Sequence, residues 1–405
     1  MSRLFVQIRK ELFQYFCLYF LCVLNGSILF VNYKNIIIYS VIVVYGFLMI
    51  ISSKYRRKDP WIICFFLLLA TVLVRLLSGG VGTETLLLHS VQILIVYLCI
   101  QIDKEKFLTR YVYIVVFLAA ISVFAWLLVL ANPEIGKMIF SFTTRVENKN
   151  GVIDYYNGLF FYTFSEGIGL DRNAGMYSEP GRYQGILEGA LWILLIFREH
   201  IKISKKRVYL FTFTIILTII TSQSTAGYIS LFAIILCYLF KGYKSDKTLF
   251  KMLVGIIVLI AVFFVWDFWV NGTMSLFSSV VTDKLRDTDI DVASSSGGAR
   301  LRMMKICFDA MVEKPWGAGT ISSRGNIVAA GFFTFFACYG IVSGIIVCYW
   351  IIYPLIKYHY SIAEIVTFSF VYINLGISQT YMFYPGILVI PVTIGYLRLL
   401  RKKNS

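Results

Sequence analysis

Residues 111–131, YVYIVVFLAAISVFAWLLVLA, contain no charged side chain. A membrane-spanning α-helix needs about 20 consecutive, mainly apolar residues, so this stretch is long enough to cross a bilayer as one helix. Eleven other stretches are apolar over a comparable length. The twelve predicted spans are residues 12–31, 36–51, 61–77, 86–101, 111–131, 183–198, 207–221, 226–241, 250–270, 327–353, 362–380 and 384–400.

The overall composition agrees with this prediction. Of the 405 residues, 59% are hydrophobic and only 15% are charged. A soluble domain has roughly 45–50% apolar and about 25% charged residues, so a soluble enzyme, a disordered chain and a small disulfide-stapled module are excluded. The sequence therefore predicts an all-α polytopic membrane protein in which residues 1–405 form a single integral membrane domain.

The net charge of +16 fits either a nucleic-acid-binding protein or a membrane protein with basic cytoplasmic loops. The positions of the charges decide between them, because 24 of the 38 lysines and arginines lie in alternate loops and at both termini. The positive-inside rule places these segments in the cytoplasm. Two long loops, residues 132–182 and 271–326, are then predicted to face outward, and no nucleic acid partner is expected.

The first outward loop has an aromatic part and a charged part. Residues 152–164, VIDYYNGLFFYTF, suit either an interfacial aromatic belt or packing on a sugar. Pro180 then favours the first turn of a helix, which places a helix N-terminus at the outer face. An anion could bind there beside Arg182, or Arg182 could pair with Glu179 or Glu188. Glu188 lies inside the span, where ionisable groups are costly and usually functional.

The second outward loop begins with an acidic run, D-x-D-x-D at residues 287–291, which Asp283 precedes. This run fits either a solvated loop or a metal site. It lacks the glycine and the glutamate of a calcium loop, and its outward position argues against a nucleotide-sugar metal site. No metal ligand is therefore assigned.

Residues 299–313 follow with apolar side chains at helical spacing and predict a short amphipathic helix at the membrane surface. Residues 294–298 (SSSGG) supply N-cap chemistry, and Arg300 and Arg302 lie in the first turn. Guanidinium groups beside free backbone N–H groups match a phosphate or pyrophosphate without a metal. The alternative is that the two arginines extend to lipid headgroups.

Three motifs together resemble the O-antigen polymerase and ligase superfamily. The first is residues 178–182 (SEPGR) before a span, and the second is the turn at residues 222–228 (SQSTAGY), where Thr225 stands in place of the arginine of many relatives. The third combines residues 298–300 (GAR) with residues 315–319 (PWGAG) at the close of the second loop. The motifs cover about residues 170–320, and the rest of the chain matches by topology.

The resemblance implies a metal-independent glycosyltransferase of the GT-C class, without a cofactor, acting at the outer face of the bacterial inner membrane. Its substrate would be an undecaprenyl-pyrophosphate-linked oligosaccharide, and a chain-length regulator and a flippase would be further partners. A polymerase moves the growing glycan onto the sugar of a lipid-linked repeat, whereas a ligase moves it onto lipid A core. Ligase-type relatives carry an important histidine in the second large loop; this chain has none in either loop, which favours polymerase.

This chemistry assigns roles to the outward residues. Arg300 and Arg302, with Arg172 or Arg182 from the first loop, are the candidates for stabilising the leaving pyrophosphate. Glu179 is the first candidate and Asp171 the second for the general base that activates an acceptor hydroxyl. The substrate-binding candidates are Arg172, Arg182, Arg302, Tyr177 and Glu188. Besides the ligase, a lipid-linked oligosaccharide flippase or other transporter and a membrane scaffold remain alternatives.

Overall fold

The structure is a computed structural model that describes residues 2–52, 58–79, 83–148, 151–158, 161–165, 170–242, 247–271, 296–319, 330–380 and 382–401. These residues are mostly α-helical. The helices are α1 Ser2–Val23, α2 Ile28–Ile51, α3 Asp59–Ser78, α4 Thr83–Ile102, α5 Phe107–Ala131, α6 Pro133–Ile139, α7 Pro180–Leu195, α8 Lys205–Thr221, α9 Thr225–Gly242, α10 Lys247–Asn271, α11 Ser296–Glu313, α12 Gly331–Tyr339, α13 Ile341–Lys357, α14 Ile362–Ser378 and α15 Pro385–Arg401. The strands are β1 Phe142–Asn148, β2 Gly151–Gly158 and β3 Tyr162–Phe164.

Several helices are suited to a bilayer by length and composition. Among the described residues, four are long and apolar enough to cross a membrane, namely α2, α3, α4 from Glu84 onward, and α5. Shorter apolar helices are α9 to Lys241, α13, α14 and the first part of α15. The chain is therefore a membrane protein, while the count of twelve spans and their sidedness stay predictions.

Helix α7 lies at the centre of the helical bundle. All of its residues are buried except Arg182, and it packs against α5, α8, α9 and α15. By contrast, α2 and α3 expose large apolar side chains such as Ile50 and Leu76, which suits contact with lipid acyl chains. The N-terminus of α7 therefore has a fixed position, because the rest of the helix is enclosed by its neighbours.

Two predicted spans are interrupted. The predicted span 12–31 is wrong in its boundaries, because α1 ends at Val23 and α2 begins at Ile28 after a turn in which Gly26 has a φ of +102°. Ser27 caps α2 by accepting a hydrogen bond from Phe30 N at 3.1 Å. The predicted span 327–353 divides in the same way into α12 and α13, which meet at Gly340 with a φ of +88°.

The first long loop contains a β-sheet, which corrects the expectation of an all-α fold. Short amphipathic helices were expected in both long loops, and the sheet takes that place in the first. Strands β1, β2 and β3 pair antiparallel in sequence order, and Thr144 faces Tyr155 across the first pair. The rings of Tyr156 and Phe164 stack across the second pair, with centroids 5.1 Å apart. Aromatic and β-branched side chains favour strands because they pack well on a pleated surface.

In the second long loop the predicted helix 299–313 is confirmed as α11, which begins three residues earlier. Its buried face carries Met303, Cys307 and Met311, which pack with Ala330 and Ala337 at and within α12. The charged side chains lie elsewhere on the helix, as an amphipathic helix requires. This packing attaches the second loop to the helical bundle.

Candidate active site

The site begins at the N-terminus of α7. Glu179 is the N-cap residue, with extended backbone at φ −144° and ψ 138°, and Pro180 occupies the first helical position. The backbone N–H of Arg182 donates to the Glu179 carbonyl at 3.1 Å. The side chain of Glu179 makes no capping hydrogen bond and is exposed, so it is available to a substrate.

The preceding segment, residues 170–177, is anchored by the buried side chain of Asn173. Its amide donates to the hydroxyls of Ser122 and Thr221, both at 3.2 Å, and its carbonyl oxygen accepts from Gly175 N at 3.0 Å. Gly175 adopts a φ of +57°, and a Cβ there would collide with the ring of Tyr183. These contacts fix the backbone between Arg172 and Glu179.

The turn between α8 and α9 brings Arg172 into the site. The Asp171 carbonyl accepts hydrogen bonds from Gln223 Nε2 at 3.1 Å and from Trp126 Nε1 at 3.0 Å. Arg172 Nη2 in turn donates to the Gln223 carbonyl at 3.4 Å. A guanidinium from the first loop therefore lies against the turn in which Thr225 replaces the arginine of the motif.

Arg300, near the start of α11, brings the second loop to the same place. The charges of Arg300 and Arg172 act on each other, and Glu179 acts on both. Burial lowers the pKa of both arginines from the usual value; Glu179 opposes that shift at Arg300, and Asp171 followed by Glu179 opposes it at Arg172. Two cations, Arg172 and Arg300, and two carboxylates, Asp171 and Glu179, thus share one site.

Neither arginine forms an ion pair within the described part of the chain. No carboxylate lies within 4 Å of the guanidinium of Arg172 or of Arg300, and Arg172 Nε is buried there without a hydrogen-bond partner. Half-buried cations are costly unless an anion is paired with them. The arrangement therefore suits a ligand with several negatively charged oxygens.

The end of the second loop fixes α11. Residues 315–319 run beside the end of α12: Ala318 N donates to the Ala337 carbonyl at 2.8 Å and Gly319 N to the Cys338 carbonyl at 3.2 Å. Ile341 N donates back to the Pro315 carbonyl at 2.9 Å. These bonds hold the C-terminal end of α11, so the position of Arg300 depends on the helix as a whole.

Tyr155 is a site residue that the sequence did not single out. It lies on β2, is buried, and its pKa is raised to about 12 by burial, with Glu179 adding to the rise and Arg182 opposing it. Thr163 N in β3 donates to the Gly175 carbonyl at 2.7 Å and ties the sheet to the site. The aromatic run of residues 152–164 was the available signal, but it does not tell which tyrosine faces the charges.

The other predicted residues take varied positions. Asp171 is exposed beside Arg172, and Arg302 is half-buried on α11. Tyr177 is buried, donates its hydroxyl to the Cys22 carbonyl at 2.9 Å and stacks on Tyr183. Glu188 lies within α7 beside Ser230, and neither carboxyl oxygen makes a hydrogen bond of standard geometry among the described residues. Their roles in substrate binding or catalysis stay predictions.

Residues 283–291, with the acidic run, lie outside the described residues. Within the described part of the chain, no group of three or more histidine, cysteine, aspartate or glutamate residues could hold a metal ion.

Part of the chain matches a known protein family. Residues 210–337, from α8 through α12, match the family model described as O-antigen ligase. The match includes the turn before α9 and all of α11 with Arg300, whereas Glu179 and Arg172 precede it. No curated protein and no solved structure matches the chain.

Proposed function

From the premise that residues 210–337 place this chain in the O-antigen ligase/polymerase superfamily, we propose that it is a polysaccharide repeat-unit polymerase. It would transfer a growing glycan from undecaprenyl pyrophosphate to the sugar of a lipid-linked repeat unit. The observation that carries the proposal is the meeting of Arg172 and Arg300, two half-buried cations without a carboxylate within 4 Å among the described residues, beside Glu179.

The arginine pair supports stabilisation of the leaving group. When the anomeric C–O bond breaks, the electron pair stays on the pyrophosphate oxygen, and negative charge grows there. Preorganised cations in a site of low polarity stabilise such charge strongly. Arg172 and Arg300 are held before substrate arrives, since Arg172 bonds the Gln223 carbonyl and α11 is anchored at its far end.

Glu179 is the proposed general base. Its exposed carboxylate is adjacent to the arginine pair, so it can accept the proton of an acceptor hydroxyl as that oxygen attacks the anomeric carbon. Asp171 is the second choice because it lies next to Arg172 on an exposed part of the same segment. Arg182, Arg302, Tyr177 and Glu188 are proposed to contribute to substrate binding.

The protein is proposed to have a defined orientation in the membrane and to catalyse transfer without a metal ion. Both termini would be cytoplasmic, and the site would open to the outer face of the bacterial inner membrane, in a GT-C-like fold. The arginines would supply the positive charge that a metal supplies in other transferases. A chain-length regulator and a flippase would be its protein partners, and EDTA is expected to leave the transfer rate unchanged.

A second candidate is the ligase reaction, because the matching family model is described as O-antigen ligase. The two reactions use the same donor and differ in the acceptor. The absence of histidine from residues 132–182 and 271–326 supports polymerase.

Reconstitution of the purified protein in liposomes with a lipid-linked repeat unit tests these functions. A ladder of glycans on the lipid carrier supports the polymerase, and transfer only to added lipid A core supports the ligase. Movement of the lipid-linked glycan across the bilayer without bond formation would contradict both and favour a flippase.

A further inference from the structure

The turn between α1 and α2 lies against Arg182 although the two are far apart in the sequence. Asn25 Nδ2 donates to the Arg182 carbonyl at 2.7 Å, and Asn25 Oδ1 accepts from Gly386 N at 3.2 Å. Asn25 is fully buried. One side chain therefore connects this turn to the first turn of α7 and to the start of α15.

Gly26, the next residue, is covered by the side chain of Arg182. A Cβ on Gly26 would lie 2.8 Å from Arg182 Cδ, which is closer than carbon atoms can approach. Gly26 also has a φ of +102°, a conformation that glycine adopts without strain. Glycine thus allows the turn to form and leaves room for the methylene groups of Arg182.

The turn is itself attached to the segment that precedes α7. Ile28 N donates to the Met176 carbonyl at 3.0 Å, Tyr177 hydroxyl donates to the Cys22 carbonyl at 2.9 Å, and Ser27 pairs with Tyr177 as an isolated antiparallel bridge. The turn and the site segment are therefore held together on both sides of Gly26, by the Tyr177 hydroxyl at Cys22 and by main-chain pairing at Ser27 and Ile28.

We propose that Asn25 and Gly26 are positioning residues that direct the Arg182 guanidinium toward the pyrophosphate of the lipid-linked donor. Asn25 fixes the backbone of Arg182, and the bare Cα of Gly26 fixes the path of its side chain. This inference rests on the proposed function, in which Arg182 binds the donor. It assigns part of the donor site to the N-terminal region, outside residues 210–337.

The test compares Gly26→Ala with Gly79→Ala. Both glycines have a positive φ, and a Cβ at Gly79 would have nothing within 4 Å, so the control carries the backbone strain without the contact. We expect Gly26→Ala to raise the apparent KM for the lipid-linked donor about tenfold, a coupling usual for residues in contact, with a smaller change in kcat. Gly79→Ala should retain the wild-type KM.

A double-mutant cycle with Arg182→Ala separates positioning from general damage. If Gly26 acts through Arg182, Gly26→Ala has no further effect on KM in the Arg182→Ala background. Asn25→Ala is the second variant, should Gly26→Ala fail to fold, and is expected to behave in the same way. Additive effects, or an unchanged KM for Gly26→Ala, would overturn the inference while the proposed function stands.

A binding measurement distinguishes failure of this inference from failure of the proposed function. Farnesyl pyrophosphate, a short prenyl pyrophosphate, is titrated into each detergent-solubilised variant and followed by thermal shift. Binding to wild type that weakens in Gly26→Ala but not in Gly79→Ala supports positioning. Equal binding to wild type, Gly26→Ala and Gly79→Ala overturns the positioning role. No binding to wild type argues against a pyrophosphate donor and thus against the proposed function.

Discussion

Arg172 and Arg300 carry positive charge into a half-buried site from two different loops. They repel each other, and burial disfavours both charges, so the two arginines destabilise the site electrostatically. A pyrophosphate would relieve both costs at once. The repulsion between the two arginines and their burial therefore increase the affinity of the site for an anionic leaving group.

Replacement of Arg300 tests this balance. Arg300→Ala is expected to reduce transfer about 100-fold, the loss typical when one charge-stabilising donor is removed. In cells the acceptor should then carry single repeats without long polymer, as measured on glycan gels. Lys305→Ala, an exposed position on the same helix, is the control. Long polymer from well-expressed Arg300→Ala protein would exclude this role.

Glu179 gives a second prediction for a single side chain. Glu179→Gln keeps the shape of the N-cap residue but removes the proton acceptor, so the transfer rate should fall by about 10²–10⁴-fold. Donor binding should change little, because the arginines remain. Glu134→Gln, an exposed glutamate paired with Lys137 in α6, should be fully active. A Glu179→Gln enzyme with normal kcat would point to Asp171 as the base.

Among the structural elements, the turn at residues 315–319 decides where α11 lies. Gly317 has a φ of +117°, and a Cβ there would come within 2.7 Å of the Cys338 carbonyl and 2.8 Å of Val74 Cγ2. Its carbonyl also accepts from the Ser78 hydroxyl at the end of α3. The turn is therefore packed against two helices and cannot accept a side chain without shifting.

We expect Gly317→Ala to destabilise the protein by about 1–3 kcal/mol, from backbone strain and overpacking. A lower Tm in detergent would show this, together with reduced transfer because α11 carries Arg300. Gly46→Ala, inside α2 with nothing within 4 Å of the added Cβ, should be neutral or slightly stabilising. An unchanged Tm for Gly317→Ala would mean that the turn does not hold α11.

The sheet of the first loop is a second positioning element. Tyr155 and Asn157 lie two residues apart on β2, so they share a face, and both are buried. Asn157 and the Thr163 hydroxyl are hydrogen-bonded on the same sheet. This face therefore lies toward the site segment, to which β3 is attached through Gly175.

For the whole molecule, the predicted orientation can be tested by labelling. The charge asymmetry predicts that Lys305 faces outward and Lys202 faces the cytoplasm. Both are exposed. A membrane-impermeant maleimide applied to intact cells should label Lys305→Cys but not Lys202→Cys, while permeabilised cells should show both. Labelling in the opposite pattern would invert the topology and contradict an outward-facing site.

Much of the helical architecture could be predicted from local sequence. Long apolar stretches become helices in a membrane because only intrahelical hydrogen bonds satisfy the backbone there. Pro180 marked the start of α7, and the helical spacing after residue 299 marked α11. The boundaries failed at Gly26 and Gly340, where glycine in a positive-φ conformation breaks an otherwise uniform apolar stretch.

The site could be predicted only in part. The sequence singled out Glu179, Arg172 and Arg300 as candidates by their chemistry and their position near helix starts, and their roles stay predictions. It did not identify Tyr155, because strand pairing within the first loop determines which tyrosine is turned inward. It did not identify Asn25 or Gly26 either, because their contact with Arg182 joins distant parts of the chain.

Local composition and periodicity were thus sufficient for membrane insertion, for most helices and for the residue types in the site. The packing of the helices around α7 decided three other features. It brought Arg172 close to Arg300, the sheet with Tyr155 close to Glu179, and the side chain of Arg182 against Gly26. The physical reason is that hydrophobic length and helix capping act within one segment. Charge proximity, by contrast, depends on contacts between segments that no local pattern encodes.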